Sequence, residues 1–112
     1  MNASDALAGK LAPYRERPGV KAALLVSHDG FLVASSADTD VNAEAVAAHI
    51  GGVIDIAARL ADELGQSETR IITAELDALN VVLAPFSDEL LLCLVGTPDA
   101  IRIDYRLRGG QV

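Results

Sequence analysis

The side chains able to do covalent or proton-transfer chemistry in this sequence are few: one cysteine, Cys93, two histidines, His28 and His49, and scattered carboxylates. A nucleophilic thiolate needs a base or positive charge beside it. Cys93 stands instead among Leu91, Leu92, Leu94 and Val95, where a thiol behaves as a small inert hydrophobe. His49 falls at the margin of an apolar helical arc, and no second His or Cys lies at metal-ligand spacing. Asp62 and Glu63 read as a solvated helix face and Asp40 as a helix cap, so no spacing brings two carboxylates to one reacting centre. The glycines spell neither a phosphate loop nor a dinucleotide fingerprint. These observations predict a protein that is not an enzyme, with no catalytic residue, metal or cofactor.

Bulk properties narrow the partners. The 112 residues are 51% hydrophobic and 22% charged, as expected of one folded domain spanning 1–112. A net charge of -7 and a pI near 4.6 repel phosphate backbones and anionic headgroups, which argues against nucleic acid or a membrane surface as partner. One cysteine forms no internal disulfide, the opening MNASDALAGKL lacks a secretory pattern, and no apolar run is long enough to span a bilayer. A cytoplasmic protein is the expectation.

The elements that must position any site follow from patterning. A first helix is expected over Asn2 to Arg17, capped by Ser4 or Asp5 and ended by Pro18-Gly19. VKAALLVS and FLVASS flank His28-Asp29-Gly30, a hairpin signal read as a type I′ turn at Asp29-Gly30. Asp40 or Asn42 caps an alanine-rich helix from Ala43 to Leu64, with Gly65 closing it. Three β-like runs follow, Glu68 to Leu76, Leu79 to Phe86 and Glu89 to Gly96, joined by short breaks and therefore an antiparallel meander. LLLCLV reads as a central strand covered on both sides. In the last segment, 98–108, Thr97-Pro98-Asp99 signals a helix start, whereas Ile101, Ile103, Tyr105 and Leu107 alternate with charges as in a strand. Both readings stay open.

The long helix is apolar over nearly half its circumference. Leu60, Val53, Val46, Leu64, Ala57 and Ile50 share one sector about 80° wide, read as the core face. The adjoining sector holds Ala43, Ala61, Ile54, Ala47, Ala58 and Gly51, mostly small. A helix on one sheet needs an apolar stripe of only about 100°, so this helix is expected to bury two faces. Gly51 and Gly52 each cost about 1 kcal/mol relative to alanine inside a helix. Gly51 borders the small face, where a bare backbone admits a close neighbour. That face is read as a subunit interface, with an internal helix contact as the alternative.

The order of these elements resembles the Roadblock family, named for a dynein light chain. GVKAALLVSHDGFLVASS is similar to the family's first hairpin, with Gly19-Val20, the turn at Asp29-Gly30 and the small residues Ala34, Ser35 and Ser36. NAEAVAAHIGGVIDIAARLADELG resembles its central helix, including Ala47-Ala48 and Leu64-Gly65. NVVLAPFSDELLLCLVGTPDA looks like its closing hairpin, with Pro85 before a short turn and Pro98-Asp99 after the last strand. The likeness covers Val20 to Asp99 and departs in the tail, where the family usually closes with a helix.

The resemblance implies an α/β (α+β) sandwich: a five-stranded antiparallel sheet, a long central helix between strands two and three, and short terminal helices. It also implies pairing through the helix and third strand, with Ala43, Ala47, Gly51, Ile54, Ala58 and Ala61 between two helices and Arg70, Ile71, Ile72 and Thr73 on a joined sheet edge. Family members are platforms for Ras-like GTPases, and bacterial ones in the gliding-motility system accelerate GTP hydrolysis. The expected function is a homodimeric, non-enzymatic regulator of a small Ras-like GTPase, with a light-chain-like adaptor as the alternative. A ligand-sensing module is a third reading. An arginine finger would have to come from Arg59, Arg70, Arg102, Arg106 or Arg108, each of which also reads as a solvated charge.

Overall fold

The computed structural model describes residues 3–102 of the chain. Two short helices come first, α1 (Ala3–Gly9) and α2 (Ala12–Arg15), followed by β1 (Val20–Ser27) and β2 (Leu32–Ala37), the long helix α3 (Ala43–Glu63), and then β3 (Ile72–Glu75), β4 (Asn80–Pro85) and β5 (Leu90–Gly96). The strands form one antiparallel sheet in the order β2-β1-β5-β4-β3. β5 lies at its centre, as the apolar run LLLCLV predicts, and β2 and β3 are its edges.

Strand alternation divides the core between two faces. Ala23, Leu25, Leu92 and Leu94 point to one face and pack with Leu11 and Ile101 and with partly buried Leu7 and Tyr14 of the first helices. Ala22, Leu24, Val26, Cys93 and Val95 point to the other and pack with Ala47 and Ile50 of α3. The sandwich expected from the sequence is therefore present, with helices on both faces of the sheet.

Several boundaries differ from the sequence reading for local reasons. The single helix expected up to Arg17 is two helices because Gly9 weakens the first and Pro13 is tolerated only in the first turn of the second. The α1 helix begins at Ala3, so Ser4 and Asp5 lie inside its first turn rather than before it. The hairpin turn is not type I′: within it only Gly30 has positive φ, at +89°, and Asp29 does not. Gly30 N–H donates to the Ser27 carbonyl at 3.0 Å, which centres the turn on His28-Asp29 and leaves Gly30 as the left-handed residue of a longer loop. β3 is four residues rather than nine, because its register with β4, Ile72 opposite Leu83, would set Arg70 opposite Pro85, which has no N–H to donate. After β5, Ala100 and Ile101 N–H both donate to the Thr97 carbonyl at 2.9 Å, a single turn; the alternating positions Ile103 to Leu107 lie outside the described residues.

The capping of α3 follows its sequence signals. The Asn42 side chain accepts from Ala45 N–H at 3.1 Å, while Asp40, the alternative cap, instead accepts from Lys21 Nζ at 2.8 Å. At the other end Gly65 has φ +71°, with Gly65 N–H donating to Asp62 O at 3.1 Å and Gln66 N–H to Ala61 O at 2.8 Å, the paired bonds of a Schellman motif.

Candidate functional site

The residues with chemical potential sit in three separate places. Cys93 is fully buried in the sheet core, and that burial pushes its thiol up to about 12. His28 is exposed in the β1–β2 turn and His49 is exposed on α3. No cluster of three or more His, Cys, Asp or Glu able to hold a metal exists among the described residues. Nor do the charged groups build a polar site. Lys21 and Asp40 form an exposed pair whose hydrogen bond, then mutual attraction, raises the lysine pKa and lowers the aspartate's. Arg59 faces Asp55 at 3.2 Å on the exposed side of α3. Arg70 and Arg102 are exposed, and Arg106 and Arg108 lie outside the described residues.

Surface, rather than chemistry, distinguishes the molecule. A 21-residue helix is about 32 Å long, longer than the sheet beneath it in either direction, since its outer strands are about 19 Å apart and its longest strand spans about 26 Å. The helix makes its contacts with β1 and β2. Only Ala47 and Ile50 of α3 are fully buried.

The helix does not divide between core and surface along the two sectors of the sequence reading: Val46 and Ile50 of the expected core face do pack against the core, and members of the small sector do so as well. Ala47 is 0% exposed, and Gly51 lies against the hairpin turn so closely that a Cβ on it would stand 2.9 Å from Gly30 Cα and 3.0 Å from the Asp29 carbonyl oxygen. Both residues are turned toward their own chain, and Ala47 has no surface to give a partner. Ala43 and Ile54 pack half-buried against the same core, Ala61 is half-buried and Ala58 is exposed. Part of the supposed core face is open instead: Leu60 is 59% exposed and Leu64 65%, and Val53 and Ile56 are also exposed. The small residues face the sheet because they let the helix approach the hairpin backbone, as larger ones could not.

Val53, Ile56, Leu60 and Leu64 recur at steps of three and four and so form one stripe about 80° wide. Val53 also lines a groove between α3 and the β3–β4 half of the sheet, which places the stripe on the side of the helix turned to that half. Of the expected edge residues, Ile72 and Thr73 are in β3, whose outer side has no neighbouring strand in the sheet, and Arg70 and Ile71 immediately precede it. Ile71 is exposed as well.

The groove itself has a volume of about 560 Å³ and is walled by Val46, Ile50 and Val53 on the helix side and Ile72, Leu79 and Val81 on the sheet side. Nothing in the sequence reading located it. Two polar anchors were also missed. Asn80, the one buried polar side chain among the described residues, donates from Nδ2 to the Ile101 carbonyl at 2.8 Å. Arg15 reaches from α2 to Asp38 at 2.8 Å and Ser36 at 3.1 Å, tying the helix to the β2 edge. A lone Asn in an otherwise apolar strand is the only sequence signal for the first, and nothing local marks the second.

Comparison with known proteins agrees with this architecture. The gliding protein MglB of Thermus thermophilus superposes with a TM-score of 0.76 at 20% identity, over 90% of this chain and 78% of that one. MglB of Myxococcus xanthus gives 0.79 at 14% identity, over 91% and 77%. A Roadblock/LC7 domain from Streptomyces avermitilis gives 0.69 at 20%, over 83% and 77%. No curated protein sequence matches the chain. The sequence pattern of the Roadblock/LC7 domain matches residues 10–96, from the turn between the first two helices to the last residue of β5. With most of its length matched and the five-stranded fold present, the chain belongs to the Roadblock/LC7 domain family.

Proposed function

We propose that this protein is a non-enzymatic homodimeric regulator of a small Ras-like GTPase. The observation that carries the reading is the exposed stripe Val53, Ile56, Leu60 and Leu64 beside the open edge of β3. Apolar side chains at helical spacing, next to a strand at the edge of the sheet, are a surface that a folded protein normally covers. A second copy related by a two-fold axis covers both at once, helix on helix and edge on edge. In this dimer Ile54, Ala58, Ala61 and Arg70 to Thr73 keep their expected places, while Val53, Ile56, Leu60 and Leu64 supply the apolar seam. Family membership and the likeness in fold to two MglB proteins support a GTPase as the partner. The acidic composition favours a protein partner over nucleic acid, and no helix among the described residues is long and apolar enough to cross a membrane. We place the protein in the cytoplasm.

The regulator works without lending an arginine, in this reading. Arg59 is engaged by its neighbour Asp55, and a platform that holds the switch loops acts on the GTPase's own residues. The test is capture from the source cell's lysate by the tagged protein, with GDP in one arm and a non-hydrolysable GTP analogue in the other. Retention of a small GTPase with the analogue is the expected result, followed by a change in its hydrolysis rate. Partners indifferent to the nucleotide would replace this reading with the adaptor.

A further inference from the structure

We propose that the groove between α3 and the β3–β4 half of the sheet is a binding site for an uncharged amphiphile, an alkyl chain ending in one hydrogen-bonding head group. The groove arises because one helix cannot cover a five-stranded face. The outer strands are about 19 Å apart and a packed helix covers about 10 Å, and α3 makes its contacts with β1 and β2. Over the rest of that face the sheet lies open between two walls. Leu83 of β4 and Val95 of β5 form the floor: they are only 5% and 8% exposed, yet both line the groove. A broad protein surface does not reach a floor so deep, whereas a single chain of methylenes does. The volume of about 560 Å³ falls within the range of small-molecule sites, roughly 300–1,000 Å³.

The lining sets the polarity of the ligand. Its polar side chains are Asp40, Asn42 and His49, against otherwise apolar walls. Asp40 accepts from Lys21 Nζ at 2.8 Å and Asn42 Oδ1 accepts from Ala45 N–H at 3.1 Å, so both serve the fold. His49 is exposed and is the one of the three without a hydrogen-bond partner among the described residues. It stands one turn from both Val46 and Val53 on the helix wall, where an imidazole in its neutral form offers one donor and one acceptor to a hydroxyl head. A carboxylate head fits poorly. No lysine or arginine lines the groove and the chain carries a net charge of -7, so an anion would be desolvated with no cation to meet it. An ammonium head is disfavoured too, because Asp40 already has Lys21 as its partner. The groove shares only Val53 and Ile72 with the surface proposed above for the dimer, and a single protomer forms it whole.

Titration of the full-length protein with 1-decanol, followed by methyl resonances, reads the site directly. The expected result is saturable shifts at Val46, Ile72 and Val81 with a Kd on the order of 10–100 μM, while Leu25 and Leu92 on the opposite face of the sheet stay unmoved. Decanoate, a chain of the same length with a charged head, should bind about tenfold more weakly. Ala74 is exposed and lines the groove from β3, and an aromatic ring suits a strand. Ala74→Phe therefore fills the groove without removing a contact of the fold, and should weaken decanol by about tenfold. His49→Leu keeps the wall apolar and should cost about fivefold, the share of one hydrogen bond. Shifts that do not saturate or that spread over both faces, decanoate binding as tightly as decanol, or an affinity unmoved by either variant would overturn the proposal. Groove methyls that shift with protein concentration alone would overturn it too, by assigning the groove to a second copy.

Discussion

At the scale of single residues, the protein is organised by what its few reactive or polar groups are denied. Cys93 is shut between β1 and β4 in the centre of the sheet, and its thiol is pushed up to about 12 by burial. In the unfolded chain the same thiol ionises near 9. Its contribution is therefore intact below about pH 9 and is lost as pH rises from there toward 12, because unfolding then releases a proton that the folded state retains. The expected outcome is that the parent loses about 2 kcal/mol relative to Cys93→Ala between about pH 9 and pH 10.5, measured by urea unfolding. A parallel fall for both proteins would show that the thiol ionises in place. The inertness of Cys93 was legible from its leucine neighbours alone. The roles of Asn80 and Arg15 were not, since each depends on a partner more than twenty positions away and local spacing carries no trace of such a contact.

At the scale of elements, the long helix shows how far periodicity reaches. Its length, a cap at Asp40 or Asn42 and its Gly65 stop were all readable, because each is a local signal. That it carries two apolar sectors was readable as well. Which residues of those sectors meet the sheet was not, because the answer lies in how closely the backbones approach, and that is set by Gly30 in another element. The two adjacent helix glycines separate these causes. A Cβ on Gly52 would meet nothing within 4 Å, whereas one on Gly51 would meet three backbone atoms between 2.9 and 3.1 Å away. Gly52→Ala is expected to stabilise by about 1 kcal/mol through helix propensity. Gly51→Ala gains the same propensity but must push α3 away from the hairpin, and a net destabilisation of about 1–3 kcal/mol is expected. Thermal melts of the two variants check this; shifts of the same sign would mean that the hairpin yields freely.

At the scale of the whole molecule, α3 exposes an apolar stripe and β3 forms an edge of the sheet, and a second copy is the proposed cover for both. The first hairpin and the three-stranded meander were legible in the sequence, since short breaks allow few alternatives, whereas the β1–β5 pairing that joins them carries no local signal; the exposed stripe needed the structure, because amphipathicity does not distinguish a core from an interface. The choice of variant follows from burial. Ile54 packs against the chain's own core, so a charge there would confuse unfolding with dissociation. Leu60 is 59% exposed within the protomer, and Leu60→Glu leaves that protomer's core untouched. In an isologous dimer the substitution enters the seam twice, and burying an unpaired carboxylate costs several kcal/mol each time. Every 1.4 kcal/mol is about tenfold in Kd, enough in total to turn a dimer stable at micromolar concentration into a monomer. Light scattering at tens of micromolar should therefore report a dimer for the parent and a monomer for Leu60→Glu, with unchanged far-ultraviolet circular dichroism. A variant that stays dimeric would move the seam off this stripe, and a parent that is already monomeric would leave the stripe for the regulatory partner itself to cover.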